Sequence, residues 1–190
     1  MRQKIIDTAV SLFHQFGFKG VSVDDIATKA GVKKANLFHY YPSKEDLGLA
    51  AVCQGASCQE EAYLSYFSPE RDPIEAVEAM FDDAASSMKK EGCKRGCFIG
   101  NLAQEISNQS EKLRRKILEC FGGWTNTLAE FLESWKNRGY FRKDFEPKVS
   151  AQAIIHSFEG AMLCCKASRD VAPLHNSKKF VVLYLRGYKA

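Results

Sequence analysis

An all-α fold of about nine helices is what this sequence predicts, and three observations predict it. Apolar residues recur at three- and four-residue spacing along most of the chain. Pro42, Pro69, Pro73, Pro147 and Pro173 fall where those periodic segments begin or end, which leaves helix interiors intact. No run alternates polar and apolar residues between hairpin turns, and no internal repeat or low-complexity segment breaks the pattern.

The elements follow in order. Over residues 2–16 a stripe of Ile5, Ile6, Ala9, Leu12, Phe13 and Phe16 ends at Gly17, a natural C-cap. Ser22 and Asp25 have the spacing of a capping box, in which the hydroxyl and the carboxylate satisfy amides at the start of a helix. That short helix reaches Lys29 or Ala30 and stops at Gly31. A third spans 34–41 and halts before Pro42, and Ser43 caps a long helix over 44–67. Ile74, Val77, Phe81, Ala84 and Met88 form the next stripe, closed by Gly92, and a shorter helix covers 98–107. The strongest stripe is Leu113, Ile117, Phe121, Trp124, Leu128, Leu132 and Trp135, which ends at Gly139. Helices over 149–167 and 176–188 complete the chain. Residues 1–45 thus form a small three-helix module and 46–190 a larger helical body. The helix starting at Lys44 is shared between them, with no flexible linker.

Composition narrows the class. The 190 residues are 45% hydrophobic and 26% charged, which excludes a disordered tail, a fibre and a membrane channel. The net charge is only +4, too mild to name a partner. An odd count of seven cysteines, with no apolar export segment at the start, predicts free thiols in a reducing cytoplasm. The longest apolar stretch, 151–165, is broken by His156, Ser157 and Glu159 and is too short and polar to span a bilayer. No membrane partner is expected.

Residues 22–41 carry the most specific local signal, two short helices about a tight turn in helix-turn-helix spacing. Small Ala27 suits the crossing, Gly31 suits the turn, and Ile26, Val32 and Leu37 are placed to lock the angle. Leu37 and Tyr41, four apart, share the inward face of the second short helix. Ala35 and His39 then point outward, Asn36 and Phe38 flank them, and Lys34 stands at the exposed start. This orientation brings Lys34, Ala35 and His39 towards base edges, where a good bidentate contact gives ~1–3 kcal/mol of discrimination.

With these residues in order (LF in 12–13, a glycine turn, SVDDIATKAGV in 22–32, then L, HY, and KEDL in 44–47), residues 5–47 resemble the DNA-binding domain of the TetR family of bacterial transcription regulators. The resemblance implies that Ser22, Asn36, Tyr40 and Lys44 touch phosphates of a double-stranded, pseudo-palindromic operator. Ser22 and Lys44 also stand at helix N-termini, whose amides favour an anion. Two departures from the family pattern matter. Lys33 replaces the usual serine, losing a helix cap and gaining a cation. Phe38 replaces a common tyrosine, which loses a hydroxyl and makes a thymine methyl its natural target.

The same resemblance implies a homodimer built on the last two helices, for which Ile154, Ile155, Phe158, Gly160, Met162, Phe180, Val181 and Leu185 are the candidate surface. It also implies a small-molecule effector held among the body helices. Phe81, Phe98, Phe121, Trp124 and Phe158 are the candidate walls, with Asn101, Glu105 and Glu159 as polar groups. Residues 95–105 resemble a subgroup with a GCxxGNL-type motif, which includes sensors of electrophiles and small unsaturated compounds. Cys97 falls at the start of that helix after Lys94 and Arg95, a setting that favours a thiolate. It is therefore either a sensor thiol, modified reversibly or paired with Cys93, or a small buried apolar residue. Cys164 and Cys165 read as core.

No metal site is expected, because Cys93-x3-Cys97 lacks paired ligand spacing and His14, His39, His156 and His175 are scattered. No cofactor is expected either. An enzyme using a Cys97 nucleophile lacks any catalytic motif. A helical adaptor without DNA binding would not need Lys33, Lys34, Asn36 and His39 exposed on one short helix. The reading is a ligand-responsive DNA-binding regulator, a repressor released from its operator by a small-molecule or electrophilic effector.

Overall fold

The computed structural model describes the backbone of residues 1–190 and all side chains except those of residues 58–60 and 62–63, so the side chain of Cys58 lies outside it. Nine helices run in order among the described residues: α1 (Arg2–Phe16), α2 (Val23–Ala30), α3 (Lys34–Tyr40), α4 (Lys44–Tyr66), α5 (Pro73–Lys90), α6 (Phe98–Ile106), α7 (Glu111–Asn137), α8 (Pro147–Ser168) and α9 (Ala172–Gly187). The all-α expectation holds. The one extended pairing among the described residues is an isolated antiparallel bridge between Phe141 and Lys189. The chain forms two compact units. One contains Met1–Gln59 with Phe98–Cys120, the other Glu60–Cys97 with Phe121–Ala190.

In the first unit α1 buries Ile5, Ala9 and Phe13 against α2 and α3. Phe16, expected on the same face, is 57% exposed. At four-residue steps the buried stripe advances to Gly17, and Phe16 falls on the opposite flank. The Ser22 hydroxyl accepts the Asp25 amide at 3.1 Å, and the Asp25 carboxylate accepts the Ser22 amide at 2.8 Å, completing the capping box. Gly31 takes the left-handed conformation at φ 64°, ψ 38°, and its amide closes α2. Ile26, Ala27 and Leu37 are buried between the helices, as is Tyr41 just beyond α3. Lys33 supplies no side-chain cap to α3.

A second set of contacts fixes how α1 leaves this module. The ring of Phe18 lies 5.0 Å from that of Phe13 and against the backbone of Gly48 on α4. A Cβ at Gly48 would stand 2.6 Å from Phe18 Cε2. Lys44 Nζ sits 4.6 Å over the same ring. From α6, the two carboxylate oxygens of Glu105 accept the backbone amides of Phe18 at 2.8 Å and Lys19 at 2.6 Å. These amides follow α1, where no intrahelical acceptor remains. Gly17, at φ 78°, admits the carboxylate, because a Cβ there would approach Glu105 Oε2 to 2.9 Å. Further along, Phe98 packs on Gly55 of α4 and edge-on to His14 of α1. Ser43 caps α4 through Asp46, whose carboxylate also takes Lys112 Nζ of α7 at 2.6 Å.

In the second unit Asp72 caps α5 ahead of Pro73 and accepts the Tyr140 hydroxyl at 2.6 Å. α9 packs on both α5 and α8. Lys178 and Arg186 of α9 pair with Asp82 and Glu78 of α5 at 2.6 and 3.8 Å. Both α8 and α9 start earlier than the apolar stripes imply, at Pro147 and Ala172. A proline in the first turn costs no hydrogen bond, so the helix extends back through it. Ser150, fully buried, shares a hydrogen bond with Tyr184 at 2.9 Å. The C-terminus is held by stacked Phe141 and Phe145, by Tyr188 against Phe145, and by the Arg142 amide on the Tyr188 carbonyl. Two non-glycine residues have positive φ, Cys93 at 53° and Arg169 at 58°, and the Arg169 guanidinium donates to the Cys93 carbonyl at 2.9 Å.

The fit of Phe18 on Gly48 has a direct test. Gly48→Ala forces a ring contact far inside van der Waals distance, and overpacking of this kind costs about 1–3 kcal/mol. Urea denaturation monitored by circular dichroism is expected to show that loss. Adding Phe18→Leu, which removes the obstructing ring edge, is expected to recover part of it.

Candidate nucleic-acid interface and sensor residues

The second helix of the pair presents a continuous polar face. Lys33, Lys34, Ala35, Asn36, Phe38, His39 and Tyr40 are all exposed, while Leu37 is fully buried beneath them. The spacing alone foretold this division, because one buried residue at Leu37 and another at Tyr41 fix the rotation of a seven-residue helix. Phe38 and Tyr40 remain 38% and 39% exposed, and the Tyr40 ring meets that of His39 edge-on at 5.3 Å.

Three features of this face were not legible beforehand. Lys34 Nζ is held by Asp24 of α2 at 2.8 Å, both ends more than half exposed, so the pair is weak and open to exchange. Lys44 is half-buried, and desolvation pulls its ammonium below the usual value while Glu105 and Asp25 oppose that shift. Its charge is therefore held in place by the Phe18 ring and two carboxylates. Arg2, at the start of α1, donates to the Tyr41 hydroxyl at 3.4 Å and lines an open groove of about 480 Å³ with Tyr40, Asp46, Cys53 and Gln54. It adds a cation beside the exposed tyrosine, and no motif spacing pointed to it. Ser22 remains exposed, but its hydroxyl is engaged with the Asp25 carboxylate at 2.6 Å.

The candidate effector residues divide between the units. Phe98, Asn101 and Glu105 belong to the first. There Phe98 packs on Gly55 and His14, and Glu105 is committed to the Phe18 and Lys19 amides. Both have structural employment that their place on an apolar stripe did not reveal. Phe81, Phe121, Trp124, Phe158 and Glu159 belong to the second. Phe81 meets Phe158 edge-on at 5.2 Å, and Phe121 meets Trp124 at 5.3 Å.

Glu159 differs from these rings in kind. Its Oε1 is sealed from solvent and has no hydrogen-bond partner, and its carboxyl takes a hydrogen bond from the Cys97 thiol. Burial pushes this acid up to about 7, with the thiol contact opposing. The folded protein therefore keeps a proton that the unfolded chain releases near 4.5. The stability this provides is full below that pH and fades as pH rises through about 7. Cys97 itself is 5% exposed and immediately precedes α6. Cys93 and Cys97 are both free thiols, so the pairing considered from sequence is not formed. Cys93 is instead close enough to Cys165 to act on its charge, while Arg95 pairs with Glu91 at 3.8 Å. Cys165 is buried as expected, but Cys164 is exposed.

The candidate dimer residues need correction. Ile154, Ile155, Phe158, Val181 and Leu185 are buried within a single chain and cannot form an outer face. They fill the seam of α8 with α9 and α5, which takes the most apolar positions first. Of the eight, Gly160 and Phe180 are exposed and Met162 is partly so. Val149, Leu163, Phe180 and Leu183 are the exposed large apolar side chains on these two helices, at 53%, 46%, 67% and 72%.

Comparison with known proteins agrees with this geometry. Residues 5–51 match the family model for bacterial regulatory proteins of the tetR family, and residues 73–180 match the C-terminal domain of LmrA/YxaF-like transcriptional regulators. The transcriptional regulator AcuR of Cereibacter sphaeroides is 28% identical over 92% of this chain and 80% of its own length. The repressor DhaR of Mycobacterium sp. is 27% identical over 92% of this chain and 86% of its own. The crystal structure of Escherichia coli NemR in its reduced form superposes with a TM-score of 0.89 at 25% identity, covering 100% of this chain and 96% of that one. No described helix is long and apolar enough to cross a membrane. With a helix-turn-helix whose second helix presents an exposed face and family matches over both parts of the chain, this protein belongs to the TetR family of DNA-binding transcriptional regulators.

Proposed function

We propose that this regulator is a cytoplasmic homodimeric repressor that leaves a pseudo-palindromic operator when its helical body takes up a small-molecule or electrophilic effector. The observation that carries the reading is the exposed face of α3 over a buried Leu37 and Tyr41. Residues 1–45 read the operator and 46–190 bind the effector and the second subunit. Lys34, Ala35 and His39 face base edges, Phe38 meets a thymine methyl, and Lys33 adds a cation. Ser22, Asn36, Tyr40 and Lys44 hold phosphates. Two copies joined through the exposed side chains of α8 and α9 would present two such helices to successive major-groove faces, about one helical turn apart.

The named relatives are regulators, which supports a binding role over catalysis. An effector releases DNA by binding the DNA-incompetent arrangement better, and a tenfold preference corresponds to about 1.4 kcal/mol. Phe81, Phe121, Trp124 and Phe158 supply apolar walls for it. Within this reading a thiol trigger at Cys97 is favoured by one specific contact, the hydrogen bond of that thiol to a buried carboxyl. The relative NemR, described in a reduced form, supports the same direction.

Three outcomes are expected. In fluorescence-anisotropy titrations with duplex operator DNA, Lys44→Ala lowers affinity across sequences and reduces the slope of log K against log salt by about one. An unchanged slope removes Lys44 from the phosphate contacts. Phe180→Asp with Leu183→Asp, both at exposed positions, leaves the helical content intact but shifts sedimentation velocity from dimer to monomer. Thermal-shift screening of metabolites and electrophiles on wild type and Cys97→Ser separates the two triggers. A shift kept by the variant identifies a reversible ligand, and a shift lost identifies the thiol.

A further inference from the structure

We propose that Glu159 is the proton acceptor for Cys97 when the thiol adds to an α,β-unsaturated carbonyl effector. The proposal rests on reading Cys97 as a sensor thiol and goes beyond it by naming the group that activates the sulfur.

Three observations meet at this pair. The thiol already donates its hydrogen bond to the Glu159 carboxyl, so the proton has a formed path to an acceptor. Glu159 Oε1 is buried without a partner, an arrangement that a purely structural role does not need. An apolar side chain of similar size would avoid the desolvation cost of that oxygen. Finally, Cys97 as a residue is only 5% exposed, so water has little access to carry the proton away. Burial holds the acid near 7, where it is partly ionised at neutral pH and matched to a general base.

The surroundings leave this acid dominated by one neighbour. The titratable group that acts on Glu159 is Cys97, from the segment before α6. Phe81 of α5 packs on the adjacent Phe158 and carries no charge. On α8 itself, His156 one turn before is exposed, and Lys166 two turns after is partly exposed.

The step balances without an oxidant. The carboxylate removes the thiol proton while the sulfur electron pair forms a C–S bond at the β-carbon. The carbon–carbon π pair moves to the enolate. The proton held by Glu159 then returns to the α-carbon, which regenerates the carboxylate and leaves a thioether. The net change is addition of S–H across the double bond. Below about 7 the acid is protonated at the outset and cannot accept, so the reaction slows as pH falls through that value.

The test uses N-ethylmaleimide on the full-length protein. Digestion and mass spectrometry follow the Cys97 peptide over time from pH 6 to 9, because exposed Cys53 and Cys164 also label. Wild type is expected to show a limb rising through about pH 7 to a plateau. Glu159→Gln is expected to lose that limb and to react at least tenfold more slowly at pH 7.5. An unchanged or faster rate in Glu159→Gln overturns the proposal, since a carboxylate that merely repelled a thiolate would slow the wild type. If that variant does not fold, the wild-type profile alone decides, and absence of the limb between pH 6 and 8 overturns it. The sensor reading fails separately. A Glu159-dependent adduct that leaves operator affinity unchanged supports the proton transfer and removes the trigger, whereas no adduct at Cys97 overturns both.

Discussion

The Glu105 carboxylate on the amides of Phe18 and Lys19 is the contact around which the first unit is organised. Those amides follow α1, where the chain turns and the helix can no longer satisfy them. An ionised acceptor serving two donors makes hydrogen bonds roughly twice as strong as neutral ones. The same carboxylate acts on Lys44, whose ammonium covers the Phe18 ring, and that ring rests on Gly48. One side chain of α6 thus sets the end of α1, the start of α4 and the charge of Lys44. Gly17 and Gly48 are the two positions where a Cβ would force these groups apart.

This arrangement takes no residue from the exposed face of α3. α3 has only seven residues and no side-chain cap, too short to be stable alone. It exists because Leu37 and Tyr41 are buried, which leaves its other side chains exposed. The cations near this helix differ in how firmly they are held. Lys44 is kept by the Phe18 ring, whereas Lys34 pairs with Asp24 in an exposed contact that is open to exchange.

The second unit follows a different rule. Its helices bury most of their large apolar residues, and α8 and α9 leave Val149, Leu163, Phe180 and Leu183 outside. Within that apolar body Glu159 is an expensive group, pushed up to about 7 by burial and touched by the Cys97 thiol. Polar groups retained at such cost concentrate where chemistry or recognition occurs.

The amino-acid sequence alone determined the helices, their caps and the helix-turn-helix. Those features depend on neighbours within about four residues, as Ser22 with Asp25, Gly31 at its turn, and Leu37 with Tyr41 show. It also carried the family, because a motif of some 45 residues preserves that local grammar in order. Only the tertiary structure decided which apolar side chains of α8 and α9 face outward, since periodicity marks an apolar face but not which of two neighbours covers it. Only the fold engaged Glu105 with amides 86 and 87 residues away, and only the fold brought Glu159 to Cys97. Contacts between residues so far apart leave no periodic trace. They exist only once packing has brought distant helices together and made the burial of a charge costly enough to select its partner.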